Sequence, residues 1–246
     1  MRLPGVVGAL FEKEARYTLR NWQLLWRLFI PAFFVLVLGS SLKHDSLFVH
    51  HADMAFPLAI AYAFFSETMW VFNSLGYEGG GMRLLLLAPV RFRQVMIGKN
   101  LFYAAATLVN LLAVCICVRW IFGPAGPMVT MATLFAVLYA LFVNLTVGNV
   151  VSVWFASRLE FGMRRGNSPS GMALFISLVT QAMVIGSGGV VFMAGKLLDH
   201  MGIAALVFVG LAGVAGAGYA VCLMKIDQLA ADRRESLMEE LCRAGS

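Results

Sequence analysis

Residues 128–155 read MVTMATLFAVLYALFVNLTVGNVVSVWF, a run without a single charged side chain. The hydrocarbon core of a bilayer is about 30 Å thick and a helix rises about 1.5 Å per residue, so about 20 apolar residues cross it. This stretch is long enough, and it has five companions, at about 24–42, 56–76, 100–121, 172–194 and 203–224. All are continuously apolar rather than alternating over roughly ten residues as membrane barrel strands do, so helices are expected. The fold class is therefore all-α, a polytopic membrane protein with six transmembrane helices. The connections are short and leave no soluble core, which excludes most soluble enzyme chemistry.

Composition agrees with that reading. Of 246 residues, 60% are hydrophobic and 13% charged, against about 25% charged in a typical soluble domain. The first run starts too late and extends too far for a signal peptide, and Tyr17 to Trp26 lacks a small-residue cleavage pattern, so it reads as retained. Cys115, Cys117 and Cys222 lie in spans and Cys242 in the tail; no pairing suggests a disulfide frame or a zinc site, and they read as small apolar residues. His44, His50, His51 and His200 fall in connections at one side, and their spacing matches no standard ligand set, so no metal is expected.

Charge orients the spans. Arg2, Lys13, Arg16 and Arg20 precede the first. Arg83, Arg91, Arg93 and Lys99 follow the second, Arg158, Arg164 and Arg165 the fourth, and Lys225, Arg233, Arg234 and Arg243 the sixth. The opposite side holds only Lys43, Arg119 and Lys196, with Arg27 inside the first span. Basic loops stay cytoplasmic, so both termini are expected inside, at a cell (inner or plasma) membrane. The net charge of +6 then reflects topology and contact with anionic membrane lipids. The basic residues are spread over four segments with no aromatic-interleaved patch, so nucleic acid is not an expected partner.

Three regions follow. Residues 1–23 form a cytoplasmic amphipathic segment: Val7, Leu10, Phe11, Ala15 and Thr18 share one helical face, and Glu12, Lys13, Arg16 and Arg20 lie mostly on the other. This reads as an interfacial helix, with the polar start of one long first helix as the plainer option. Residues 24–224 are the six-span domain, with Pro31 a site for a kink. Residues 225–246 are a cytoplasmic tail with a short charged helix over 228–243.

The loop after the second span is the most informative cytoplasmic segment. Three glycines (79–81) free the chain to turn, Leu84 to Leu87 follow as a short helix, Pro89 ends it, and a second amphipathic turn leads to the third span. A leucine left in water forgoes about 1.5–3 kcal/mol of burial. The four leucines must lie in lipid or in the groove of a partner protein.

Glu67, near the middle of the second span, is expensive there, by about 2.5–3.5 kcal/mol on insertion scales. It is either a pathway or gating residue or a structural hydrogen-bond partner of another helix. Arg27 sits too near the inner boundary to reach it and should snorkel outward. Ser177, Thr180 and Gln181, followed by Gly186 to Gly189, either line a passage or glue helices together. The glycine run is a place for the fifth helix to break. No catalytic residue is assigned: no zinc-protease, nucleophile-elbow or paired-carboxylate motif occurs, and no phosphate-binding P-loop, so ATP hydrolysis by that route is not expected of this chain.

Segment 76–100 resembles the loop after the second span in ABC-2 type transporter permeases, through Gly76, Glu78, Leu85 to Leu87, Pro89, Val90, Arg91, Arg93, Gly98 and Lys99. Glu12 to Arg20 before the first span, and Gly148, Asn149 and Ser152 closing the fourth, are similar to that family as well. The resemblance extends over essentially the whole chain, although the long outer segment before the last span is reduced here to residues 196–202. It implies a membrane subunit of a bacterial ABC exporter that works as a dimer with a second permease copy and is driven by separate ABC ATPase subunits. ATP and Mg would be bound by those partners, with no cofactor in this chain. Glu78, Met82, Arg83, Leu84, Leu85, Leu86, Leu87, Pro89 and Arg91 would form the coupling helix and its flanks. Helix 6–20 would be the connecting helix beside it. Glu67, Ser177, Thr180 and Gln181 are the pathway candidates. The alternative is a non-transporting scaffold or regulatory protein of the same fold.

Overall fold

The computed structural model describes residues 5–42, 52–158 and 170–242, and all regular structure among them is helical. Helix α1 (Gly5–Arg20) stops at Asn21, and α2 (Trp22–Leu42) begins at once. Asn21 makes the break: its Oδ1 accepts from the Gln23 amide at 3.2 Å, as an N-cap does. The other helices are α3 (Ala52–Phe72), α4 (Met82–Leu87), α5 (Phe92–Phe122), α6 (Pro127–Trp154), α7 (Gly171–Leu197), α8 (Met201–Asp232) and α9 (Arg234–Cys242). A 3₁₀ segment, Gly76–Gly81, joins α3 to α4. Six helices, α2, α3 and α5 to α8, are long and apolar enough to cross a membrane. The chain is an all-α multi-pass membrane protein.

Helix α3 runs through the middle of the bundle, against α2, α5, α6 and α7, and α8 lies along α6. Small residues permit the closest approaches. A Cβ on Gly148 of α6 would lie 2.2 Å from Val71 Cγ1 of α3, and one on Gly195 of α7 would lie 2.8 Å from Ala204 Cβ of α8. Without a hydrophobic drive between helices in lipid, such contacts carry the association. Ring packing adds to it: Phe192 of α7 and Phe208 of α8 have centroids 5.2 Å apart.

Several element boundaries differ from the sequence reading. Helix α3 ends at Phe72, not near 76, because Asn73 leaves the helix to clasp another segment. Its Nδ2 donates to Ser157 O at 2.8 Å, and its Oδ1 accepts from Ser157 N at 3.0 Å. Helix α5 begins at Phe92, eight residues before the expected third span, with no intervening break. Asp227 of α8 caps it across the fold, accepting from Arg93 N at 2.6 Å. Helix α8 continues to Asp232 because Leu223, Ile226 and Ala230 remain buried. Helix α7 passes through Gly186 to Gly189 unbroken. In lipid the backbone groups freed by a break would go unmet, a larger cost than the low helix propensity of glycine. Pro31 lies inside α2 without ending it. Residues 5–20 and 22–42 form two helices with a break at Asn21.

Candidate functional site

One end of the bundle gathers α1, the 3₁₀ segment, α4, the start of α5, the end of α6 and α9. At its centre is a closed charge cluster. Lys99 of α5 places Nζ 2.6 Å from Glu78 Oε1 and 2.7 Å from Glu14 Oε1 of α1. Lys13 of α1 reaches the other Glu78 oxygen and stands 3.7 Å from Glu14 Oε1. Two carboxylates and two ammonium groups balance. The side chains of Glu78 and Lys99 are each only 4% exposed, which buried charges tolerate when paired and hydrogen-bonded. Burial alone pushes the Glu78 carboxyl up, but Lys99 and then Lys13 more than offset it and hold it well below the usual carboxylate range. Lys99 also donates to Ser74 O at 3.2 Å.

Small and polar residues around this cluster let the segments approach closely. Gly98 lets α1 settle on α5: a Cβ there would lie 2.8 Å from Leu10 Cβ and 3.2 Å from Val7 O. The apolar face of α1 that the sequence assigns to an interface is thus partly spent on α5, with Val7, Leu10 and Thr18 buried. Gly76 fits beneath Ser157 O, which a Cβ would meet at 2.2 Å. Gly79 turns the chain at φ +48°, a conformation that favours glycine. Ser152 of α6 accepts from Leu75 N at 2.9 Å and shares a 3.0 Å hydrogen bond with Ser74. Asn149 is buried on the same helix.

Helix α4 with its four leucines, called the handle, divides into two faces. Met82 is fully buried, and Leu85 and Leu86 pack against the same cluster as Leu237 and Leu241 of α9. Arg234 of α9 donates to Leu86 O at 3.1 Å. Arg233 donates to Trp154 O at 3.1 Å and stacks over the Trp154 ring at 4.7 Å. Two of the four leucines therefore find their groove in the tail of their own chain, a cover that the sequence reading did not foresee. Leu84 and Leu87 face outward, 74% and 61% exposed, three residues apart on one side of α4. Arg83, Pro89 and Arg91 are exposed beside them. Glu78 is not on that surface; it belongs to the buried ion cluster.

The pathway candidates lie deeper in the bundle. Glu67 of α3 accepts from Thr107 Oγ1 at 2.7 Å and from Asn110 Nδ2 at 2.5 Å, both on α5. Arg27 instead donates to the Tyr77 hydroxyl at 3.5 Å. Gln181 of α7 donates through Nε2 to Asn144 Oδ1 of α6 at 2.6 Å. Ser177 and Thr180 bond the carbonyls of Leu174 and Ile176 within their own helix. These contacts join helices or close on themselves: Glu67 is held by α5 and Gln181 by α6. Asn110 and Asn144, which complete the two pairs, went unnoticed in the sequence, although an asparagine inside a span is a visible signal. His44, His50 and His51, and loop residues 159–169 with Arg164 and Arg165, lie outside the described residues. His200 is exposed at the turn between α7 and α8.

Neither the curated proteins nor the solved structures contain a match to the chain. A family model, 12TM_1, described as "Membrane protein of 12 TMs", matches residues 1–151. The matched part runs from α1 almost to the end of α6, so it takes in α1, the ion cluster, the handle and Gly148 with Asn149. With well over half its length matched, and with six candidate spans among the described residues, this chain belongs to the 12TM_1 family of multi-span membrane proteins.

Proposed function

We propose that the chain is the permease subunit of an ATP-driven ABC exporter in a bacterial cell membrane, moved by separate ATPase subunits that grip α4. The observation that carries this reading is the outward pair Leu84 and Leu87 on a short helix braced from behind. Two exposed leucines flanked by Arg83 and Arg91 suit a partner groove better than water. The helix is also fixed to the bundle: α9 holds its inner face, and the 3₁₀ segment links it to Glu78, Lys99 and α1. A push on α4 then reaches α1, α3 and α5 as a rigid-body displacement. The basic residues at the α4 end support an arrangement with both termini on the cytoplasmic side. The ATPase partners hold ATP and Mg.

A non-transporting scaffold or regulator is the second reading, and one observation favours it. Polar residues of the spans are tied to one another, Glu67 to Thr107 and Asn110 and Gln181 to Asn144, as structural links between helices are. Affinity purification of the tagged chain from its native membrane separates the two. A permease brings down an ATP-binding subunit, and the pair expels a compound that cells lacking them accumulate. A scaffold retains its partners yet leaves no such compound behind when deleted.

A further inference from the structure

Helix α4 has six residues, and isolated helices shorter than about 12–15 residues are marginal in water. The chain leaves α-helical geometry on both sides of it. Before α4, Gly79 interrupts the link to α3 at φ +48° and ψ −129°. After it, Ala88 and Arg91 are extended, with ψ of 143° and 131°. Its shape and its hold on the bundle therefore come from packing, and the helix packed along it is α9.

Helix α9 is joined to the spans in another way. Arg233 alone separates it from α8. Leu237 N donates to Arg233 O at 2.9 Å, so helical hydrogen bonding resumes at once and the elbow has no slack. Arg233 also pins the elbow to the end of α6, through Trp154 O and the Trp154 ring. At its other side α9 is fastened to α4. Leu237 and Leu241, one turn apart, are fully buried in the cluster against which Leu85 and Leu86 pack. Arg234 donates to Leu86 O, one of the last-turn carbonyls that a helix leaves without an internal partner and where positive charge is favoured.

We infer that α9 is a relay: it carries a displacement of α4 through the Arg233 elbow into α8 and α6, with Arg234, Leu237 and Leu241 as the positioning residues. This rests on the permease reading and adds a second route to the one that passes through the ion cluster to α1, α3 and α5. Close-packed contacts deform little and move as units. Helix α8 lies along α6, so the two follow the elbow together.

The test uses the purified complex of this chain with its ATPase in lipid nanodiscs. Nitroxides at the exposed Leu178 of α7 and Val221 of α8, in a chain without its native cysteines, report whether α8 moves when ATP is added. A short glycine linker inserted between Arg233 and Arg234 leaves the side chains that fasten α9 to α4 and gives the elbow slack. The expected result is a shift of the inter-label distance in the unaltered chain. With the linker, the ATPase binds as before and the shift is lost. If the linker lowers the thermal midpoint, Arg233→Gln decides instead. It removes the stack on Trp154 and should reduce the shift at unchanged ATPase affinity, with Arg233→Lys recovering part of it. A shift like the parent's in these variants overturns the relay. So does loss of ATPase binding together with the shift, which would make α9 a brace for α4 alone. An unaltered chain that binds the ATPase but shows no shift overturns the relay and not the permease reading. An unaltered chain that binds no ATPase overturns both.

Discussion

Lys99 and Glu78 face each other across 2.6 Å in the interior of the α1 end, both almost fully withdrawn from solvent. The pair joins the first turns of α5 to the segment that leads into α4, and Glu14 and Lys13 complete it from α1. Breaking such a pair from one side leaves an uncompensated buried charge, which costs about 3–5 kcal/mol. Lys99→Met and Glu78→Gln should therefore each lower the thermal midpoint of the detergent-solubilised protein sharply. The double variant, which leaves no lone charge at that pair, should recover part of the loss. Additive losses in the double variant would show that the two groups are not coupled.

Helix contact at Gly148 is limited by the absence of a side chain. Gly148→Ala forces its new methyl into Val71 and should destabilise by about 1–3 kcal/mol, the usual cost of overpacking. Val71→Ala in the same chain should restore most of that stability. Thermal unfolding of the single and double variants checks the rescue, and a second-site change without effect would contradict the contact.

Leu237 is fully buried between the tail and the handle. Leu237→Ala should cost about 2–5 kcal/mol locally. The expected signature is limited: the spans persist, while amide exchange accelerates in α9 and α4. Unchanged protection in both helices would mean that the tail does not brace the handle.

Glu67 accepts from two side chains of α5. Glu67→Gln keeps one acceptor oxygen and the side-chain volume, so assembly should be little affected. Glu67→Leu leaves Asn110 without that acceptor and should lower stability by about 1–3 kcal/mol. Under the permease reading, Glu67→Gln alters transport more than assembly; normal transport by that variant would reduce Glu67 to a structural link between α3 and α5.

The spans were legible in the sequence because a bilayer demands about 20 apolar residues in a row, a purely local requirement. The limits of α5 and α8 were not, because what sets them is remote. Asp227 caps a helix that begins at Phe92, and Lys99 enters the protein only because Glu14 and Glu78 await it. Read locally, Lys99 is a loop charge and Glu78 a surface one. The leucine run shows the same limit: nothing near Leu85 or Leu86 announces that α9, some 150 residues later, covers them. Gly76, Gly98, Gly148 and Ser152 did stand out through resemblance, and each proves to sit where two segments touch.

Under the proposed permease reading, the outward face of α4 is where an ATPase drives this chain. That claim is tested most directly by the ATP hydrolysis rate of the purified permease–ATPase complex carrying Leu84→Asp with Leu87→Asp. Both side chains are exposed, so the membrane domain should keep its thermal stability, while the ATPase dissociates and any stimulation of hydrolysis by the permease is lost. A doubly substituted chain that still binds and stimulates the ATPase like the parent would contradict the account.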